Sequence, residues 1–148
     1  MPFCPFVFSA VANELRRKVA GAKVDKITQP EKDRLVLTLR GGGASTRPQT
    51  VRLLLCARSG SARVHLTTQS FDNPAEPPMF CMLLRKYLSG ARLVSIVQPD
   101  FERMLIFSFN ASDELGYERC VKLVFESAGR VPNIILTDGE DRILDCLK

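Results

Sequence analysis

The chain has 148 residues, 45% hydrophobic and 25% charged, enough to fold as one domain without disulfide or metal staples; both disorder and a fibrous repeat are excluded. The net charge of +5 is uneven, because residues 1–92 hold 15 Lys and Arg against 6 Asp and Glu whereas residues 93–148 hold 6 against 10. A basic front of this kind suits a phosphate-bearing partner, and no apolar run approaches the roughly eighteen residues that a membrane span needs.

In chain order, Phe8, Ala12, Leu15 and Val19 recur at helical spacing and predict a first helix stopped by Gly21. The apolar stretch Phe3 to Ala12 has its basic residues, Arg16, Arg17 and Lys18, behind it rather than in front, which argues for a helix and against a signal peptide. Strands follow at Lys23 to Thr28, Leu35 to Arg40, Thr50 to Ala57 and Arg63 to Thr67, bounded by turn residues such as Gly41-Gly42-Gly43 and Ser59-Gly60. A Pro-rich connector, Thr68 to Pro78, leads to a second helix. Its stripe is Phe80, Leu83, Leu84, Tyr87 and Leu88, and Gly90 ends it. Four more strands are expected at Arg92 to Gln98, Met104 to Asn110, Glu118 to Glu126 and Pro132 to Thr137, with a last one at Arg142 to Cys146 across Asp138-Gly139.

The two halves repeat. Leu15 to Val24 aligns with Leu84 to Leu93 at an offset of 69. Ile27-Thr28-Gln29-Pro30-Glu31-Lys32-Asp33-Arg34 then aligns with Ile96-Val97-Gln98-Pro99-Asp100-Phe101-Glu102-Arg103 at the same offset, which makes Asp33-Arg34 and Glu102-Arg103 equivalent turns. From Val51 onward the offset is 70. The expected fold class is α+β: a single domain over residues 1–148 containing two helix-plus-antiparallel-sheet units, about 14–67 and 83–137, stacked into a sandwich or half-barrel.

The five cysteines are widely spaced, with no C-x-x-C pair and one histidine in the chain, a pattern of reduced thiols in a cytoplasm with no metal or cofactor implied. His65 reads as a satisfied strand histidine, since no nucleophile motif accompanies it and no catalytic residue is expected. Arg85 and Lys86, near the end of the second helix, divide between RNA contact and complementing the helix dipole. Asn133 divides between capping a strand start and reading RNA. Arg16, Arg17 and Lys18 read as a solvated face.

The run from Arg63 to Thr67, and then Asn73 through Pro77-Pro78-Met79-Phe80-Cys81-Met82-Leu83-Leu84-Arg85-Lys86 to Gly90, resembles the NFACT N-terminal domain family, the RqcH/NEMF family also labelled fibronectin-binding protein A. The resemblance covers the whole chain and implies a fold similar to the N-terminal domain of formamidopyrimidine-type DNA glycosylases, as part of a longer protein. It also implies a cytoplasmic, non-enzymatic module of ribosome quality control, with tRNA and the large ribosomal subunit carrying peptidyl-tRNA as partners and no membrane or DNA. Members recruit alanyl-tRNA to tail stalled chains. Glu102-Arg103 corresponds to the family's Asp-Arg pair, and the expected RNA-contacting set is Glu102, Arg103, Arg85, Lys86 and Asn133. The alternative reading of Glu102-Arg103 is a turn-closing salt bridge. Three positions depart from the family: Cys4 replaces an acidic residue, Glu102 replaces Asp, and Gly129-Arg130-Val131-Pro132-Asn133 loses a His and a Ser. Two other functions fit less well: an extracellular fibronectin-binding adhesion module, and a catalytically inactive glycosylase-like nucleic-acid binder, since Phe3 rather than Glu follows Pro2.

Overall fold

The computed structural model describes residues 5–41, 50–127 and 131–148. Cys4, Gly42, Gly43, Gly129 and Arg130, to which the sequence reading gave weight, lie outside them. Helix α1 (Pro5–Val19) leads into strands β1 (Lys23–Glu31), β2 (Arg34–Arg40), β3 (Thr50–Cys56) and β4 (Arg63–Thr67). Helix α2 (Met79–Leu88) then leads into β5 (Arg92–Val97), β6 (Met104–Ser112), β7 (Glu118–Glu126), β8 (Asn133–Asp138) and β9 (Ile143–Cys146). Among the described residues no helix is long and apolar enough to cross a membrane. Cys56, Cys81, Cys120 and Cys146 form no disulfide.

The fold is α+β, but the sheet differs from the expected stack of two. All nine strands form one antiparallel sheet in the order β4-β3-β2-β1-β5-β6-β7-β8-β9. The two meanders meet at the start of β1 and β5, where Lys23 lies opposite Arg92, so the two inner edges are joined at that end. Strand alternation sends Leu35, Leu37, Leu39, Leu53 and Leu55 of the first half, and Leu105, Phe107, Phe109, Leu123 and Phe125 of the second, into one core with both helices. Phe8 of α1 meets Phe125 of β7 at 6.1 Å between ring centroids. Lys148 Nζ donates to the Ala57 carbonyl, so the two ends of the sheet approach each other and the sheet is strongly curved.

The central seam obeys the 69-residue offset bond by bond. Gly21 N–H donates to the Leu93 carbonyl at 2.7 Å, and Gly90 N–H to the Val24 carbonyl at 2.9 Å. Leu93 N–H donates to the Ala22 carbonyl, and Val24 N–H to the Ala91 carbonyl, each at 2.8 Å. Both glycines hold positive φ, +85° and +76°, the left-handed conformation that ends each helix and turns the chain into its strand.

Beyond Lys23 opposite Arg92 the two strands part. One carbonyl on each parted strand is then taken by an arginine from the helix packed upon it. Arg85 Nε of α2 donates to Ile27 O of β1 at 2.9 Å, and Arg16 Nε of α1 donates to Ile96 O of β5 at 2.7 Å. The helices are thus exchanged: α1 lies on β5 and α2 on β1.

Candidate nucleic-acid interface

The turn between β5 and β6 holds Glu102 and Arg103. The backbone there is tied at three points: Glu102 N–H donates to Pro99 O at 2.9 Å, Gln98 Nε2 to Glu102 O at 2.8 Å, and Ser127 N–H to Arg103 O at 2.9 Å. A short 3-10 turn, Pro99–Phe101, precedes it, with Asp100 at a φ of +45°. Both side chains of the pair are exposed, and neither has an ion-pair or hydrogen-bond partner among the described residues. The salt bridge of the alternative reading is not formed within the pair.

The corresponding turn of the first half is built differently. Gln29 Nε2 donates to Lys32 O, and Ala57 N–H donates to Asp33 O at 2.8 Å. The mates of these two carbonyls are those of Glu102 and Arg103, so the offset has already become 70 here. One residue is inserted between Gln98 and Glu102, and Arg103 stands where the first half has Asp33, not Arg34. The two acid-arginine pairs are therefore not structural equivalents. Asp33 is bound by Arg58 Nε at 3.2 Å, while Arg58 also pairs with Glu31. Burial pushes the Asp33 carboxyl up, but the hydrogen bond and charge of Arg58 outweigh it and hold it below the ordinary value of 3.8.

Asn133 lies at the same end of the sheet, since Met104, Glu126 and Asn133 are successive cross-strand neighbours. Its side chain is already engaged: Oδ1 accepts from the N–H groups of Ile134 and Lys148, and Nδ2 lies 3.4 Å from Lys148 O. Arg85 is committed to Ile27, and Arg16, read from sequence as solvated, is committed to Ile96. Lys86 is exposed, with Nζ 5.8 Å from the Tyr87 ring, whose other neighbour is Arg119 at 4.6 Å. His65 is satisfied: Nε2 accepts from Arg63, which assigns the proton to Nδ1 facing Leu66 O at 2.9 Å. Of the five candidates, then, Glu102, Arg103 and Lys86 carry free polar groups, and Arg85 and Asn133 carry bonds that hold the fold.

The outward face of β1 to β3 does not stand out in the linear sequence. There Lys26, Thr38, Arg52 and Thr67 form one cross-strand row, and Lys23, Arg40 and Thr50 another. Alternation with the buried leucines is the signal that would have found it.

A family model described as NFACT N-terminal and middle domains matches residues 5–148. A protein named Rqc2 homolog RqcH from Bacillus subtilis is 42% identical over 139 residues, which is 93% of this chain and 24% of that protein. Human ribosome quality control complex subunit NEMF is 30% identical over 94% of this chain and 12% of its own. The chain thus spans about a quarter or less of the relatives it matches. Among solved structures, the N-terminal domain of the fibronectin-binding protein PavA from Streptococcus pneumoniae superposes with a TM-score of 0.92 at 36% identity, covering 99% of this chain and 56% of that one.

Proposed function

Because the chain belongs to the NFACT family through the match over residues 5–148, we propose that it is the tRNA- and large-subunit-binding module of a cytoplasmic ribosome quality control factor. It works by binding, without turnover, and helps recruit alanyl-tRNA to large subunits that carry a stalled peptidyl-tRNA. The observation that carries this reading is the Glu102-Arg103 turn. Two backbone hydrogen bonds and one from the Gln98 side chain fix the turn, yet the side chains of Glu102 and Arg103 have no partner among the described residues. A free guanidinium presents five donors in a planar fork suited to a phosphate or a base edge, and an adjacent carboxylate accepts from an exocyclic amine. Because the backbone is already ordered, binding at this turn adds no cost of ordering the loop to the side-chain and rigid-body freedom it loses. The glycosylase-like kinship of the fold belongs to the same reading. In the experiment that tests it, the full-length protein is sedimented with large subunits carrying peptidyl-tRNA. Arg103→Ala should lose tRNA recruitment with Tm unchanged, and wild-type recruitment by that variant would remove the case for this site. Fibronectin binding is a second reading, favoured by the name of the solved fibronectin-binding relative, and fibronectin binding by the purified chain at physiological salt would support it.

A further inference from the structure

We propose that the outward face of β1 to β3 is a second seat for RNA, separate from the Glu102-Arg103 turn, and that it grips the phosphodiester backbone of a single strand. Residues that face each other across paired strands share one side of the sheet, so Lys23, Lys26, Arg40 and Arg52 project together, away from the leucine core. Strand spacing puts Lys26 and Arg52, two strands apart, at about 10 Å. Lys23, Lys26 and Arg40 have no ion-pair partner among the described residues, and neither Asp25 in the β1 bulge nor Asp72 in the connector pairs with them. Arg52 donates to Gln69 O at 3.0 Å and lies 3.3 Å from Ser70 Oγ, which draws the connector alongside the face as a wall. The resulting cavity, about 300 Å³ and open to solvent, has Lys26, Arg52 and the hydroxyls of Thr38 and Thr50 on its floor and Phe71 on its wall. The Phe71 ring is backed by Arg34 at 6.0 Å.

The second half supplies an internal comparison. Its matching row is Ser95, Ser108, Lys122 and Thr137, in which the only cation is already bound to Asp141 at 2.9 Å. The counterpart of the Lys23 row, Arg92, Asn110 and Cys120, keeps one cation, and Arg92 already donates to Gly21 O at 2.8 Å, so cations without a partner are concentrated on the first unit and are not a requirement of the shared scaffold. Separated cations with hydroxyl donors between them suit singly charged groups repeated along a strand, whereas an acidic peptide would present its charge less regularly. Phe71 offers the ring face turned away from Arg34 as a place for a base to stack. The choice of RNA over DNA rests on the ribosome reading above.

The test is the anisotropy of a labelled single-stranded RNA of about 16 nucleotides, titrated with this chain across about 50 to 200 mM salt. Removing two contacts with Lys26→Ala/Arg40→Ala should reduce the slope of log K against log salt by about 1.4. Lys122→Ala should leave it unchanged, as should Arg103→Ala on this short probe. Lys26→Arg/Arg40→Lys should restore binding, and an unchanged melting temperature shows that the double alanine variant is folded. An unaltered slope in that variant would overturn the proposal, and so would displacement of the RNA by polyglutamate of equal charge. Loss through Arg103 alone would refute this seat while sparing the first site; loss through Lys26 and Arg40 alone would do the reverse.

Discussion

Arg85→Met separates a structural arginine from an RNA-binding one. The guanidinium donates to Ile27 O at 2.9 Å from a partly buried position, at the point where β1 has parted from β5. Methionine keeps the apolar stem against its neighbours and removes the charged donor. A hydrogen bond from a charged donor contributes about 1.5–3 kcal/mol net. The Cys81 thiol, 3.7 Å from the same oxygen, is too weak a donor to replace it. The expected loss is about 2 kcal/mol, which for a domain of this size lowers Tm by about 4–8 °C. Arg16→Met should lose less, about 1 kcal/mol, because its side chain is more exposed and water can reach Ile96 O. The double variant should show the sum to within about 0.5 kcal/mol, as sites without shared partners do. Urea and thermal melts of the four proteins measure this, with RNA anisotropy taken well below Tm. If Arg85→Met keeps full stability and loses RNA affinity, Arg85 serves the ligand and the exchanged-helix account of the seam is wrong.

Gly21→Ala and Gly90→Ala should each cost about 1 kcal/mol by thermal melting, because each holds a positive φ that alanine adopts with strain. Equal losses would match their equal places in the seam. Phe125→Ala, which removes the partner of Phe8, should cost about 3–5 kcal/mol in urea melts. For acid stability the sign follows from Asp33. Its folded pKa lies below the ordinary 3.8, so its stabilisation is complete above that value and is lost as pH falls through the lower folded value. Arg58→Gln should flatten this part of the stability-pH curve, and an unchanged curve would show that Arg58 does not set the Asp33 pKa.

The strands and both helices were legible because each carries its own period. Alternating leucines mark β2, and Phe8, Ala12, Leu15 and Val19 mark α1. Whether the meanders stack or join was not legible, since that depends on the four backbone bonds between residues 21–24 and 90–93, which involve no side chain. The shift of equivalence at Arg103 was hidden for a related reason. Aligning acid with acid and arginine with arginine maximises identity, whereas the chain takes up its extra residue in the turn at Pro99–Phe101, before the pair. Arg16 and Arg85 read as surface cations because the carbonyls they bind are 80 and 58 residues away in sequence. The outward cationic rows were diluted in the overall charge, where Lys23, Lys26, Arg40 and Arg52 are separated by apolar neighbours that face the other way.

The exchange of helices sets a timetable for synthesis. Helix α1 emerges first, yet the carbonyl that Arg16 holds is 80 residues downstream, about 4–16 s later at ordinary elongation rates of about 5–20 residues per second. A lone helix of 15 residues is marginal in water, and its apolar stripe has no resting place until β5 has been made. The nascent first half is thus an unfinished object, obliged to keep Phe8, Leu15 and Val19 uncovered. A chain arrested between residues 20 and 90 should be the species that aggregates or recruits a chaperone, whereas one arrested just after β7, with Phe125 in place against Phe8, should already hold its first helix.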